Sequence, residues 1–172
     1  MGARRAAPIV GSVVFFVVAP GTIAGFIPYR LTGWRLQPPL LGAPAGRWVG
    51  AALAAAGLLL LVDCFARFAR EGRGTPAPVA PTETLVASGP YRHVRNPIYI
   101  AVLLIVVGQA VLFGSLTLLA YAAALWLAFH AFVVAYEEPT LGRRYGVSYE
   151  AYRAHVGRWW PRITPWRGPE TA

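Results

Sequence analysis

The chain has 172 residues with a formal net charge of +9; it is 56% hydrophobic and only 13% charged. Its charges fall between apolar blocks rather than along amphipathic faces, which is a membrane composition and excludes an ordinary soluble domain. At this length one small bundle fits, without room for a separate soluble domain, and no basic face on a soluble fold is present to serve a nucleic acid.

All 16 basic residues are arginine, which points to anionic lipid and to the orientation of membrane segments. The single cysteine, Cys64, lies in an apolar segment. It can form no intramolecular disulfide and reads as a packing residue. His93, His130 and His155 lack metal-ligand spacing, so no metal site is expected. His130, in an apolar helix, reads as a hydrogen-bonded core residue.

In chain order, Arg4-Arg5 precedes an uncharged block over 8–28, long enough to cross a bilayer. A signal peptide has the same basic start, but the apolar character runs on past Gly21 through Phe26-Ile27, which favours a span. Residues 29–46 carry Pro38-Pro39 and several glycines and form a connection. A second span is expected over 47–68, with Asp63 and Arg67 four apart and able to pair within the helix. A polar loop over 69–97, Pro-rich between Pro76 and Pro81, leads into Ser88-Gly89-Pro90-Tyr91-Arg92-His93-Val94-Arg95-Asn96-Pro97-Ile98-Tyr99.

The apolar block that follows has Gly114-Ser115 near its middle and predicts a helical hairpin over 98–113 and 116–136. At 1.5 Å per residue these helices reach about 24 to 30 Å, the first only just enough to span. The block ends in Glu137-Glu138-Pro139-Thr140-Leu141, then Tyr145-Gly146, Tyr149, Tyr152 and Arg158. Pro139 suits a first helical position and predicts a new helix breaking away from the span. With Trp159, Trp160 and Trp166 beyond it, the segment 137–172 suits the headgroup region as an interfacial helix.

The expected fold is an all-α integral membrane protein of about four transmembrane helices plus that C-terminal helix, in one domain over 1–172. With the N-terminus inside, thirteen arginines (Arg4, Arg5, Arg67, Arg70, Arg73, Arg92, Arg95, Arg143, Arg144, Arg153, Arg158, Arg162, Arg167) face the cytoplasm against Arg30, Arg35 and Arg47 outside. That split obeys the positive-inside rule and puts both charged clusters on the cytoplasmic side.

Adjacent carboxylates at a membrane edge carry a desolvation cost, so Glu137-Glu138 implies partners or a cationic ligand. Arginines, carboxylates and tyrosines together suit a ligand with a charged head and an amphiphile arriving from lipid. The two motifs, Gly-Pro-Tyr-Arg leading to Arg95-Asn96-Pro97-x-Tyr99, and Glu137-Glu138-x-x-Leu141 followed by Tyr145-Gly146-x-x-Tyr149-x-x-Tyr152, resemble those of the isoprenylcysteine carboxyl methyltransferase family and the related phospholipid N-methyltransferases. The resemblance covers about half the chain.

The resemblance implies an integral membrane methyltransferase that uses S-adenosylmethionine, with the C-terminal segment capping the cofactor. It assigns Tyr91, Arg95, Asn96, Pro97, Tyr99, Glu137 and Glu138 to the cofactor, and Arg158, Tyr149 and Tyr152 to the acceptor, with Arg158 and Glu138 as the catalytic pair. The chain departs from the family pattern at Asn96, where histidine is frequent, at Ala101, where glycine is usual, and at Gly157, where proline is common.

The implied partners are a lipophilic small-molecule acceptor and membrane lipids, with carboxylate O-methylation and amine N-methylation both open. Two other classes fit in part. One is a reductase of the sterol-reductase type using a nicotinamide dinucleotide, which the short length opposes; the other is a non-catalytic scaffold. The arginine-only, alanine-rich composition points to a GC-rich bacterial genome, hence to a bacterial inner membrane with the site facing the cytoplasm.

Overall fold

The computed structural model describes residues 18–40, 42–71 and 85–168. Arg4, Arg5, Arg73, residues 8–17 of the first expected span and the Pro76 to Pro81 stretch lie outside these. Among the described residues every regular element is helical: a π-helical turn Thr22–Phe26, α1 (Ile27–Thr32), α2 (Gly46–Glu71), a 3-10 turn Gly89–Arg92, α3 (Pro97–Phe113), α4 (Leu116–Phe132), a second π-helical turn Val133–Glu137, α5 (Glu138–Tyr145) and α6 (Val147–His155). Extended pairing is limited to one isolated bridge between Val94 and Gly157.

Among the described residues two helices are long and apolar enough to cross a membrane, Gly46–Phe68 and Leu116–Tyr145, and the apolar helix Pro97–Phe113 is shorter. The second of these is one continuous helix through the π turn and α5, so Pro139 does not start a helix that breaks away. A proline lacks an N–H and disturbs a regular α-helical ladder; here it sits in the first turn of α5, directly after a turn closed five residues back rather than four. The break comes instead at Gly146, whose φ of +51° suits a residue without a Cβ.

The described residues divide into two compact units. The first holds the described residues from Val18 to Leu61 and Ile98–His130. In it α2 and α3 approach through small residues: a Cβ on Gly57 would stand 2.7 Å from the Ala101 carbonyl oxygen, and one on Gly108 would stand 2.5 Å from the Ala54 nitrogen. Ala101 is fully buried. Its extra methyl is tolerated because the glycine at this contact comes from α2, not α3. Replacing Gly57 by alanine drives a methyl into backbone, which cannot swing aside. Thermal unfolding in detergent is expected to show a loss of about 1–3 kcal/mol, despite alanine's better helix propensity.

The ends of α3 are tied down locally. Gly114, at φ +75°, terminates it; the carbonyl oxygens of Phe113 and Leu112 accept from the Gln37 N–H at 2.8 Å and Arg47 Nη1 at 3.2 Å. Helices leave such carbonyls without internal partners, and a cation there also suits the helix dipole. One turn before that end, buried Gln109 donates to the Ala24 carbonyl at 2.6 Å and accepts from Trp34 Nε1 at 3.0 Å. Tyr99 packs on Phe129 with ring centroids 4.6 Å apart.

The second unit holds the described residues of Val62–Pro97 and those from Ala131 onward. Its core is Tyr149, Tyr152 and Val156 of the α6 region, packed against Leu85, Ala87, Leu141, Tyr145 and Trp166. Asp63 and Arg67 form the expected i,i+4 pair at 3.0 Å, and Cys64 is fully buried.

Candidate active site

In the second unit the Gly-Pro-Tyr-Arg stretch folds as a 3-10 turn opened by Gly89 at φ +51°, with Pro90 in its first turn. A Cβ on Gly89 would collide with the Arg67 guanidinium, so both backbone freedom and space select glycine. The turn buries the Tyr91 ring, edge-on to Phe68, and presents the Tyr91 carbonyl to the buried Tyr152 hydroxyl, which donates at 2.6 Å. Burial pushes the Tyr91 and Tyr152 phenols above their ordinary value, so both act as neutral hydrogen-bonding groups.

After that turn the chain is stitched to the C-terminal segment. The Arg95 N–H donates to the Gly157 carbonyl at 2.9 Å, the Arg162 N–H to His93 at 2.9 Å and the Trp166 N–H to Arg92 at 2.9 Å. Side chains add to this: Arg92 Nε donates to the Trp166 carbonyl at 2.5 Å and Asn96 Nδ2 to the Arg158 carbonyl at 3.1 Å. His93 Nδ1 lies 2.8 Å from the Arg162 carbonyl. Asn96 is therefore a buried amide that fixes the backbone at Arg158. Gly157 has its own reason, since a Cβ there would stand 2.7 Å from the Trp160 carbonyl oxygen.

This stitching brings both motifs onto one carboxylate. Arg158 grips Glu138 with two parallel bonds, Nε to Oε1 at 2.6 Å and Nη2 to Oε2 at 2.9 Å. Arg95 Nη1 lies 3.0 Å from the same Oε1 and donates to the Tyr149 hydroxyl at 3.2 Å. The Glu138 and Arg95 side chains are 9% and 10% exposed, that of Arg158 32%. Planar two-pronged contacts of this kind are the strong form of ion pair.

Burial alone raises the Glu138 carboxyl, but the Arg158 hydrogen bond and the charges of Arg95 and Arg158 outweigh it and hold the group below its ordinary value. Burial lifts the Tyr149 phenol against the opposing Arg95 charge, so the Arg95 contact is made with a neutral hydroxyl. Two cations thus face one anion, and Arg95 Nε is buried with no hydrogen-bond partner among the described residues.

Of the residues singled out in the sequence, Arg95, Asn96, Glu138, Tyr149 and Arg158 come together here. Tyr91 and Tyr152 form the layer beneath them. Pro97 is buried at the start of α3, and Glu137 is half-buried one residue before Glu138. Tyr99 belongs to the first unit. The sequence reading named Arg92, His93 and Trp166 but not their pairing, and gave Arg162 no place in the site; these contacts between residues 92–93 and 162–166 are made largely to backbone and leave no side-chain signature.

A model of the phospholipid methyltransferase family matches residues 45–148. The chain belongs to this family. The match spans α2 to the start of α6 and contains Arg95, Glu137 and Glu138, while Tyr149, Tyr152 and Arg158 lie beyond it. No curated protein and no solved structure matches the chain. Phospholipid methyltransferases are membrane enzymes with lipid-like substrates, in keeping with the apolar helices described above.

Proposed function

We infer that the protein transfers a methyl group from S-adenosylmethionine to a lipid-like acceptor at the membrane–cytosol boundary. The observation that carries this is the cluster of Arg95, Arg158 and Glu138. Its surplus cation and the partnerless Arg95 Nε fit a ligand bearing a carboxylate, as this cofactor does. Arg95 would hold that carboxylate, with Glu137, Glu138, Asn96, Tyr91 and Pro97 as the rest of the cofactor side. Bound there, the cofactor supplies a methyl group already activated by its sulfonium. The protein's own share is to orient the acceptor through Arg158 and Tyr149, with Tyr152 supporting them from beneath, and to exclude water.

No general base is required for a carboxylate acceptor, and an amine acceptor must arrive neutral. Calorimetry on detergent-solubilised protein tests the cofactor. Binding of S-adenosylmethionine is expected; binding of a nicotinamide dinucleotide instead supports a reductase, and binding of neither supports a scaffold.

The span count belongs to the same reading: α2, the hairpin of α3 and α4, and an N-terminal helix make four. The Tyr99–Phe129 contact supports the hairpin, since it joins the start of α3 to the end of α4. The long helix Leu116–Tyr145 has 30 residues, about 45 Å at 1.5 Å per residue, and so exceeds a hydrocarbon core of about 30 Å. Glu138 then stands in the headgroup zone.

Among the described residues ten arginines fall in the second unit and three, Arg30, Arg35 and Arg47, in the first. The second unit is accordingly assigned to the cytoplasmic face of a bacterial inner membrane. In a Cys64→Ala background, exposed Arg143 changed to cysteine is expected to resist an impermeant maleimide in intact cells and to react once the membrane is opened. Labelling in intact cells contradicts the orientation.

A further inference from the structure

Two glutamates stand side by side at the end of the membrane helix, and neighbouring helical residues point about 100° apart. Glu138 is buried and Glu137 only half-buried. Val133, 1% exposed, marks the buried face, whereas Val134, Ala135 and Tyr136 are exposed. In a regular α-helix Glu137, four residues on, would stand about 40° from Val133, and Glu138, five residues on, about 140° away.

The turn is not regular. The Glu138 N–H donates to the Val133 carbonyl five residues back rather than four, so the turn is wider and advances by less than 100° per residue. Glu138 thereby reaches the face of Val133, where it is 8% exposed and meets Arg95 and Arg158. We propose that the Val133–Glu137 turn is a positioning element whose one extra residue selects Glu138, rather than Glu137, as the carboxylate gripped by the two arginines. Turns of this kind are rare and occur mostly as single bulges inside α-helices, frequently at functional sites. The functional meaning of the choice rests on the methyl-transfer reading of the cluster; the register itself does not.

The test has one arm for each. In the full chain in detergent, Glu138→Gln combined with Arg158→Gln is expected to shift the unfolding temperature non-additively by roughly 2 °C or more. Glu137→Gln combined with Arg158→Gln is expected to be closer to additive. Stronger coupling of Arg158 to Glu137 than to Glu138 overturns the proposal, whether or not the protein proves to be a methyltransferase.

The second arm deletes Ala135. Removing the extra residue lets the turn close as an ordinary α-helix, with Glu138 four residues beyond Val133 and still on its face. Methyl transfer within about fivefold of the full chain is expected, and Glu138→Gln is expected to lower kcat by the same factor in both backgrounds. Loss of transfer in a deletion variant that still binds S-adenosylmethionine normally, with the decisive carboxylate moved to Glu137, contradicts the proposal. Should the deletion variant fail to fold, the coupling measured in the full chain decides.

Discussion

Glu138→Gln is expected to destabilise the protein by about 3–5 kcal/mol, the range for breaking a buried ion pair from one side. The substitution keeps the shape and removes the charge, so Arg95, with a side chain only 10% exposed, is left as an uncompensated buried cation. Arg158 loses its two-pronged partner at the same time. The pH dependence has a definite sign. The Glu138 carboxyl lies below its ordinary value of 4.5 in the folded protein, so its contribution is complete above that value and is lost as pH falls through the folded one. Unfolding measured in detergent should therefore show the largest gap between the native protein and Glu138→Gln near neutrality, closing below about pH 4.5. A gap that is constant down to low pH means that the carboxylate's charge is not what the arginines hold.

Arg158→Ala is expected to act on turnover. It leaves Glu138 paired with Arg95, so the stability cost should be smaller than for Glu138→Gln, about 1.5–3 kcal/mol for a charged hydrogen-bonding group. The grip on Glu138 uses two of the five N–H donors of the guanidinium, and the side chain is about one-third exposed. An acceptor's anionic group can therefore be met by the same residue. Turnover is expected to fall about 100-fold, with a smaller loss of S-adenosylmethionine affinity because Arg95 stays in place. Arg158→Lys should recover only part of the loss, since an ammonium cannot make the planar contact. Equal losses in Arg158→Ala and Arg143→Ala, both restored by added anionic lipid, would show Arg158 to be a surface anchor.

Much of the site was legible because its chemistry is carried by residue types that are costly beside a membrane. Arginines and carboxylates bordering a long apolar run announce themselves, and so the Arg95 and Glu138 motifs could be found without a structure. The end of α3 at Gly114 was legible for the same local reason, a residue free to take a positive φ inside an apolar block. The π turn before Glu138 was not. One extra residue in a run such as Val133-Val134-Ala135-Tyr136 changes neither composition nor length enough to be seen, and Pro139 suggested a break where the helix in fact continues. Nor was the pairing of residues 92–96 with 157–166, which joins segments some sixty residues apart through backbone groups that every residue possesses. The departures at Ala101 and Gly157 became intelligible only with their neighbours in place, the Gly57 backbone in one case and the Trp160 carbonyl in the other.

Methyl transfer itself is the decisive measurement. Detergent-solubilised protein is incubated with S-adenosylmethionine labelled in its methyl group and with a total bacterial lipid extract, and the lipids are resolved by mass spectrometry. Label is expected in a lipid-soluble product, made by the native protein and strongly reduced by Arg158→Ala. Protein that binds S-adenosylmethionine but leaves every lipid unlabelled, or that does not bind it at all, contradicts the account.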